Sequence, residues 1–248
     1  MKIRIITYNI HKCIGGVDRR YAPARIAEVI AHYGADLVLL QEVANRSPRS
    51  GGDRQVDLLG ELLGFRHRAW FPNVRLRGGG EYGNGVLSHW RLTASENVDL
   101  TIAPKKRRSV LHVRIRVPVY SQKLSRPRSR TIHLFNAHLG LSGIERRMQL
   151  KRLLNSTSVT GISERIPLVI AGDLNDIWGM LGRLILHPAG FQGSQGTIRT
   201  FPAYTPVRPL DGFYVKGDLE LLNLMPSRLK LARLASDHLP LVADLLVH

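Results

Sequence analysis

The feature of this sequence that most constrains its fold is a set of short apolar strands that end in acidic or amide side chains. The clearest case is residues 166–176, where a run of mostly β-branched residues and leucine leads through Gly172 to Asp173 and Asn175. Such a run predicts a buried strand, and side chains two residues apart on a strand share a face. Oxygen ligands at the end of a strand suit a hard cation and a phosphate. An Asx turn that ends the strand explains this stretch equally well on its own.

The same arrangement recurs from one end of the sequence to the other. The predicted strands at residues 2–9, 36–40 and 131–137 each lead into polar side chains, and those at 212–215 and 241–247 each follow polar side chains. Six strand ends or loops carry the candidate site residues, which are Asn9, Glu42, His138, Asp173 with Asn175, Asp211, and Asp237 with His238. Each position alone is a common strand end, so the prediction of a site depends on their meeting at one edge.

Two further local patterns give structural expectations. Gly83-Asn84-Gly85 is typical of a hairpin turn before a short strand. Residues 142–159 predict the longest helix, in which Ser142 caps the first turn and Glu145 completes a capping box. No shift in composition marks a domain boundary, so we expect residues 1–248 to form a single domain.

The chain is strongly basic, with a formal net charge of +17 over 248 residues. Basic residues cluster at Arg19-Arg20, 75–77, 105–108, 126–130 and Arg146-Arg147. Such a charge attracts polyanions, either nucleic acid or an anionic lipid surface, and charge alone does not separate the two. Arg108, at the entry to a predicted strand, is the best placed cation to hold a phosphate, although a solvated basic turn is nearly as good an explanation.

The single cysteine, Cys13, excludes an intrachain disulfide and suits a reducing compartment. A small buried side chain explains Cys13 better than a catalytic thiol does. The amino-terminal residues do not resemble a signal peptide, and no apolar run approaches the roughly 20 residues of a membrane span. We therefore expect a cytoplasmic, monomeric protein without a transmembrane segment.

Seven short motifs, taken together and in this order, resemble those of the endonuclease/exonuclease/phosphatase superfamily. They are TYNI at 7–10, QEV at 41–43, GNGVLS at 83–88, NAHL at 136–139, GDLND at 172–176, LDGFYV at 210–215 and SDHLP at 236–240. The sequence also looks like small, uncharacterised bacterial members, with which it shares the stretches IHK and TFP. The resemblance implies the DNase-I-like fold, an α/β four-layer sandwich of two mixed β-sheets packed face to face with helices outside. The site of that fold lies at one edge, where the strand ends meet.

The resemblance also implies a chemistry for the candidate residues. Glu42, helped by Asn9 and Asp237, supplies the hard oxygen ligands that Mg²⁺ or Mn²⁺ prefers. Asp173 and Asn175 orient the attacking water and contact the scissile phosphate. His238, paired with Asp211, acts as general base or stabilises the transition state, and His138 donates to a phosphate oxygen or to the leaving group. Substrate phosphate is expected to contact Arg108, Asn84 and Arg20.

These features favour a divalent-metal-dependent phosphodiesterase, and the basic charge slightly favours a nuclease that acts on DNA or RNA. The alternative is a hydrolase of phospholipid, sphingomyelin or phosphoinositide. QEV, and His138 where abasic-site endonucleases usually carry tyrosine, weigh against abasic-site repair. A non-catalytic module that binds polyanions is disfavoured because every expected site position is retained.

Overall fold

The computed structural model describes residues 1–119 and 128–248, and these form two six-stranded mixed β-sheets. The first sheet contains, in spatial order, β11 (Leu219–Pro226), β12 (Leu241–Val247), β1 (Lys2–Asn9), β2 (Leu37–Asn45), β4 (Glu81–Ser88) and β3 (His67–Arg75). The second contains β5 (Leu92–Asp99), β6 (Ser109–Val119), β7 (Arg128–His138), β8 (Leu168–Asp173), β10 (Asp211–Lys216) and β9 (Gln192–Gly193). The pairs β1–β2 and β7–β8 are parallel, and the other strand pairs are antiparallel.

The two sheets pack face to face through one apolar core. Ile5 and Leu39 of the first sheet and Leu134 and Val169 of the second are fully buried in it. Alternate residues of the same strands point outward, where they meet the helices. This two-sided burial explains why the central strands read as nearly continuous apolar runs.

Helices cover both outer faces of this sandwich. The principal helices are α1 (Pro23–Tyr33), α2 (Gln55–Leu63) and α3 (Gly143–Leu154), and the single turns are α4 (Thr157–Thr160) and α5 (Ala232–Ala235). Ile26 of α1 and Leu59 of α2 pack on the first sheet, and Leu150 of α3 packs on the second. The four-layer α/β sandwich predicted from the sequence is therefore confirmed. Within the described ranges, none of the helices has the length and apolar character needed to cross a bilayer.

Asn84 does not lie in the hairpin turn that its neighbouring glycines suggested. It lies inside β4, opposite Phe71 of β3, and is buried. The adjacent Gly83 lets the two strands approach closely, because a Cβ at this position would collide with the carbonyl oxygen of Phe71. Close approach of two strands, rather than a turn, therefore explains the glycine, and the hairpin prediction was wrong.

The predicted long helix is divided in two, and its capping box is absent. Ser142 makes no side-chain cap, and Glu145 instead accepts a hydrogen bond from Gln149 Nε2 at 3.1 Å. The helix ends after Leu154 because Ser156 Oγ donates to the carbonyl oxygen of Leu153 at 2.6 Å, and α4 begins afterwards. The serine hydroxyl competes with backbone N–H groups for the carbonyl oxygens of the helix, which makes serine a poor residue for helix interiors.

Two other expectations concern a basic turn and the single cysteine. Of the basic turn expected at residues 126–130, residues 126 and 127 lie outside the described residues, and residues 128–130 belong to strand β7 rather than to a turn. Cys13 is buried, and burial raises the pKa of its thiol far above the ordinary value. A thiol that resists ionisation is a poor nucleophile, which agrees with the interpretation of Cys13 as a small buried side chain.

Candidate active site

Strand ends of both sheets meet at one edge of the sandwich. Because β7 and β8 are parallel and β10 is antiparallel to them, His138, Asp173 and Asp211 lie side by side across the second sheet. Asn9, at the end of β1 in the first sheet, donates from Nδ2 to Asp173 Oδ2 at 2.9 Å. The predicted convergence of distant segments therefore takes place, and it joins the two sheets at this edge.

A buried imidazole lies between two carboxylates at the centre of this edge. His238 Nδ1 is 2.9 Å from Asp211 Oδ2, and His238 Nε2 is 3.8 Å from Asp173 Oδ2. Burial by itself lowers the pKa of His238, but the charges of Asp211 and Asp173 outweigh burial and raise that pKa above its ordinary value. In this state the imidazole is therefore charged at neutral pH and carries a proton on both nitrogens.

Asp173 is the residue on which the other site groups converge. Its Oδ1 accepts a hydrogen bond from the backbone N–H of Asn175 at 2.9 Å, which is the Asx turn considered from the sequence. Its Oδ2 also lies 3.6 Å from His138 Nε2. Burial raises the pKa of Asp173 above the ordinary value for a carboxyl group. The same turn therefore ends the strand and places a carboxylate of raised pKa in the cleft.

Asn175 lies in the cleft, and its Nδ2 is already hydrogen-bonded within the protein. Its backbone has φ of 50°, in the left-handed region that asparagine tolerates better than most residues, so the alternation of the strand does not continue to it. Its Nδ2 donates to the carbonyl oxygen of Leu139 at 2.9 Å, which links the ends of β7 and β8.

Glu42 forms a second charged centre in the same cleft. It occurs at an irregularity of β2 between Leu40 and Val43, with φ of 54°. Its Oε2 accepts a hydrogen bond from Lys12 Nζ, and that ammonium also lies 4.8 Å from the centre of the Tyr82 ring. Burial alone would raise the pKa of Glu42, but Lys12 and His138 lower it to about 2. Glu42 is consequently ionised at neutral pH, with a cation already held against it.

The oxygen atoms around Glu42 suit a hard divalent cation. Asp237 is the most open of the candidate ligands, with 32% of its side chain exposed, and its Oδ1 lies 3.9 Å from His11 Nδ1. Asn9 Oδ1 accepts a hydrogen bond from the N–H of His11 at 3.1 Å. Carboxylate and amide oxygens of this kind are the ligands that Mg²⁺ prefers. The assignment of Glu42, Asn9 and Asp237 to a metal stays a prediction.

A different group has the spacing of a metal site, and among the described residues it is the one set of three acidic or histidine side chains that does so. Ligand atoms of Asp173, Asp211 and His238 lie within 4.8 Å of one another. His238 is a cation in this arrangement, is hydrogen-bonded to Asp211 and lies 3.8 Å from Asp173, so these three form an ion-paired unit rather than a free set of ligands. Asp211 Oδ1 is the exception, because it is buried and makes no hydrogen bond with any described residue.

Arg108 is the one predicted phosphate contact that brings a buried, available guanidinium to the cleft. It is buried, and its Nη1 has no hydrogen-bond partner among residues 1–119 and 128–248. Burial lowers the pKa of His138 well below its ordinary value, and the charge of Arg108 lowers it further. A neutral imidazole and an unpartnered guanidinium beside it form a pair of donors that suits an anionic phosphate.

The other two predicted phosphate contacts are placed differently. Asn84 Nδ2 donates to the carbonyl oxygens of Ser109 and Asn136 at 3.2 and 3.1 Å, so its donors are engaged between strands and a phosphate contact is not supported. Arg20 is exposed on the loop that begins at Gly15, and Gly16 of that loop packs against Asp237. The loop thus borders the cleft, but the Arg20 side chain contacts none of the site residues.

Three residues that support the site were missed from the sequence. Lys12 pairs with Glu42, and Thr200 Oγ1 donates to Asp211 Oδ2. Asn136 bridges the sheets below the cleft, since its Oδ1 accepts from Gln41 Nε2 at 2.7 Å. Lys12 and Thr200 belong to the stretches IHK and TFP, which the chain shares with bacterial family members but which indicate no role by themselves. Their roles depend on partners far away in the sequence, so no local signal could have assigned them.

Comparisons with known proteins agree with this fold. A profile of the Endonuclease/Exonuclease/phosphatase family matches residues 6–238. The uncharacterized protein YbhP of Escherichia coli strain K12 is 29% identical over 263 aligned residues, which cover 98% of this chain and 95% of that protein. A crystal structure of an endonuclease/exonuclease/phosphatase from Beutenbergia cavernae superposes with a TM-score of 0.80 at 25% identity, over 99% of this chain and 72% of the other. Danio rerio TDP2, crystallised with a single-strand DNA product, superposes with a TM-score of 0.70 at 18% identity, over 99% of each chain.

Proposed function

Because the chain belongs to the Endonuclease/Exonuclease/phosphatase family, whose members are metal-dependent phosphoesterases, we propose that it hydrolyses phosphodiester bonds of DNA or RNA. The observation that carries this proposal is the buried Asp211–His238–Asp173 arrangement in one cleft with the ionised Glu42. A phosphodiester anion repels nucleophiles, so its hydrolysis needs positive charge at the phosphate and a group that takes the proton of water. This cleft supplies candidates for both.

Each residue has a defined part in the proposed reaction. Glu42, Asn9 and Asp237 would hold Mg²⁺ or Mn²⁺, which offsets the charge of the phosphate and stabilises the leaving oxygen when it is bound. Asp211 fixes the orientation of His238, whose charged imidazole stabilises charge that develops on the phosphate. Asp173, with its raised pKa, accepts the proton of the attacking water, which Asn175 helps to place. Neutral His138 and Arg108 donate to the phosphate oxygens.

Nucleic acid is the substrate that the net charge of +17 supports best. The likeness to Danio rerio TDP2, at 18% identity, concerns the fold and leaves the substrate open. A second candidate, an ester in a phospholipid headgroup, is favoured by one specific observation, the exposed apolar side chains along the catalytic edge. We also propose that residues 1–248 act as a single, monomeric domain in the cytoplasm.

The variant H238A tests the catalytic assignment. We expect the rate of bis(p-nitrophenyl) phosphate hydrolysis with Mg²⁺ to fall by about 10²–10⁴, the usual effect of removing a group that acts in proton transfer or charge stabilisation. H32A, which changes an exposed histidine at the far end of α1, is the matched control and should keep the wild-type rate. Circular dichroism would establish that both variants are folded. Near-normal turnover by folded H238A would refute the assignment of His238.

The substrate part of the proposal has its own test. Wild-type protein with Mg²⁺ is incubated with plasmid DNA, with RNA, and with vesicles of phosphatidylglycerol, over a wide range of enzyme concentration. Cleavage of DNA or RNA that EDTA abolishes would support the nuclease assignment. Intact nucleic acid alongside active hydrolysis of the small ester would contradict that assignment and leave the phosphodiesterase standing.

A further inference from the structure

The most exposed apolar side chains of the described residues surround the catalytic edge. Among large hydrophobic residues, the four with the highest exposure are Trp178 at 79%, Ile144 at 73%, Leu141 at 71% and Tyr204 at 66%. We call these four residues the apolar rim. Single exposed apolar residues are ordinary on a protein surface, but a set of them around one cleft indicates an interaction surface.

Each member of the apolar rim lies on a segment that also positions the site. Leu141 and Ile144 follow His138 at the end of β7, and Trp178 follows the turn that contains Asp173. The two segments are linked because Asn175 Nδ2 donates to the carbonyl oxygen of Leu139 at 2.9 Å, and the buried Arg146 donates to the carbonyl oxygen of Leu141. This part of the rim is therefore fixed relative to the cleft.

Tyr204 is held on the side of the cleft formed by Asp237 and His238. The N–H of Ala203 donates to the carbonyl oxygen of Asp237 at 2.7 Å, and the ring of Phe201 packs 4.9 Å from the ring of His238. The rim thus flanks the site from both sheets.

Exposed arginines accompany the apolar side chains around this edge. Arg147 lies between Ile144 and the exposed Met148, and Arg208 follows the exposed Val207. On the loop that borders Asp237, the exposed Val17 precedes Arg19 and Arg20, and the intervening Asp18 is paired with Arg25 Nη1 at 2.6 Å. Charge and apolar surface therefore occur together at this edge, and the exposed charges are predominantly positive.

We propose that the catalytic edge docks on the surface of an anionic phospholipid bilayer, with the apolar rim inserted at the headgroup level. Tryptophan and tyrosine favour that depth, aliphatic side chains gain by leaving water there, and arginines pair with anionic headgroups. Aliphatic members such as Ile144 and Leu141 could not stack on nucleobases, which favours lipid over a single strand as the partner. The docking does not rest on the proposed hydrolytic function, because it needs only the surface of the folded protein.

Sedimentation with vesicles of equal parts phosphatidylcholine and phosphatidylglycerol tests this proposal. The folded, inactive H238A protein is used as the parent, so that turnover cannot alter the lipid. We expect the additional changes I144S and W178S to lower the partition constant by about tenfold or more, since both remove apolar area that would enter the interface. The matched pair L62S and L222S also removes two exposed leucines, but at the opposite edge beside Asp36, and should stay within about twofold of the parent.

The proposal would be overturned if the parent failed to sediment with anionic vesicles, if the control pair lost binding equally, or if sedimentation were as strong with pure phosphatidylcholine. If I144S/W178S instead weakened binding of a single-stranded oligonucleotide and left vesicle binding unchanged, the rim would be a nucleic-acid surface and the proposal would be wrong. Hydrolysis of bis(p-nitrophenyl) phosphate by I144S/W178S in an active background reports on the catalytic function separately, and should be unchanged.

Discussion

Lys12 holds its position through an unusual stretch of backbone. His11, Lys12 and Cys13 have φ values of 46°, 61° and 57°, all in the left-handed region that residues other than glycine rarely adopt. Each such residue costs on the order of 1–3 kcal/mol and persists only where its surroundings impose it. Gln55 is one of these constraints, since its Nε2 donates to the carbonyl oxygen of Lys12 at 2.7 Å. The result is an ammonium placed directly against Glu42.

The variant K12M tests whether this ammonium and a divalent cation compete for Glu42. Removing a competing charge should lower the Mg²⁺ concentration for half-maximal activity by roughly three- to tenfold, as expected for a partly buried charge pair. K2M, which changes an exposed lysine at the opposite end of β1, is the matched control. Calorimetric titration with Mn²⁺ would measure binding without turnover. Unchanged affinity in K12M would mean that the metal does not bind at Glu42.

At the scale of elements, Asn136 joins the two sheets beneath the cleft. Its Nδ2 donates to the carbonyl oxygens of Leu40 and Gly85, both at 2.9 Å, and its Oδ1 accepts from Gln41. Asn136 is fully buried, so truncation would leave three buried polar groups without this partner. The side chain therefore ties the middle of β2 and of β4 to the end of β7, where the site residues emerge.

We expect N136A to lower the free energy of unfolding by about 2–4 kcal/mol, measured by urea denaturation. The reason is the desolvation of the groups that Asn136 now satisfies. N223A is the control, because Asn223 is exposed and makes one long contact of 3.4 Å to Asp244, and its effect should stay within about 0.5 kcal/mol. A loss in N136A no larger than the control would show that the sheets are held together without this link.

Strands β5, β6 and β7 carry a chain of titratable groups on the outer face of the second sheet. His112 Nδ1 lies 2.8 Å from Glu96 Oε1, and His112 Nε2 lies 2.9 Å from His133 Nδ1. Burial lowers the pKa of His133 to about 4, helped by the charges of His112 and Arg114. His133 is therefore neutral in the folded protein at a pH where the unfolded chain binds a proton.

Because folding lowers the pKa of His133, the stability of the protein depends on pH. Between pH 6.5 and about 4, the unfolded chain binds more protons than the folded one at this position, so stability is lost as the pH falls through this window. H133Q removes the titration, and its melting temperature should fall less than that of the wild type between pH 7 and pH 5, by roughly 1–3 °C. H32Q, at an exposed histidine, should follow the wild type. An identical fall in H133Q would refute the contribution of His133.

The elements also show why some predictions from sequence succeeded and others failed. Strands that end at Asn9 and Asp173 were predictable because apolar runs and strand alternation are local properties. Asn84 was misassigned because it pairs with Phe71 of the neighbouring strand, a partner that local rules do not include. The helix that begins after Ser142 was predicted too long because Ser156 Oγ bonds the carbonyl oxygen of Leu153 and ends it. The role of Lys12 was missed for the same reason as that of Asn84, since it depends on an ion pair with Glu42 in a distant strand.

At the scale of the molecule, positive charge is distributed unevenly around the catalytic edge. Arg75 and Arg107 are exposed and line a groove of about 460 Å³ between the β3–β4 and β5–β6 connections. The groove leads toward the cleft, because Arg107 precedes the buried Arg108 and Asn73 in its wall contacts Ser109. The groove is therefore placed to contact the phosphates on either side of a bond held in the cleft. A small ester has no such phosphates, which separates the contribution of the groove from that of the catalytic residues.

The charge-reversal variant R75E/R107E tests whether the groove, rather than the overall charge, binds the polyanion. Binding of a fluorescent single-stranded oligonucleotide is measured by anisotropy at several salt concentrations, with each protein carrying H238A to prevent cleavage. Loss of two phosphate contacts to a single strand should reduce the slope of log K against log salt concentration by about 1.4, because each contact releases counterions. R66E/R91E carries the same charge change at the opposite edge, where β3 begins and β4 ends, and should retain the parent slope although its affinity falls slightly. Equal slopes in all three proteins would mean that the +17 charge acts as a diffuse field and that the groove has no special part in binding.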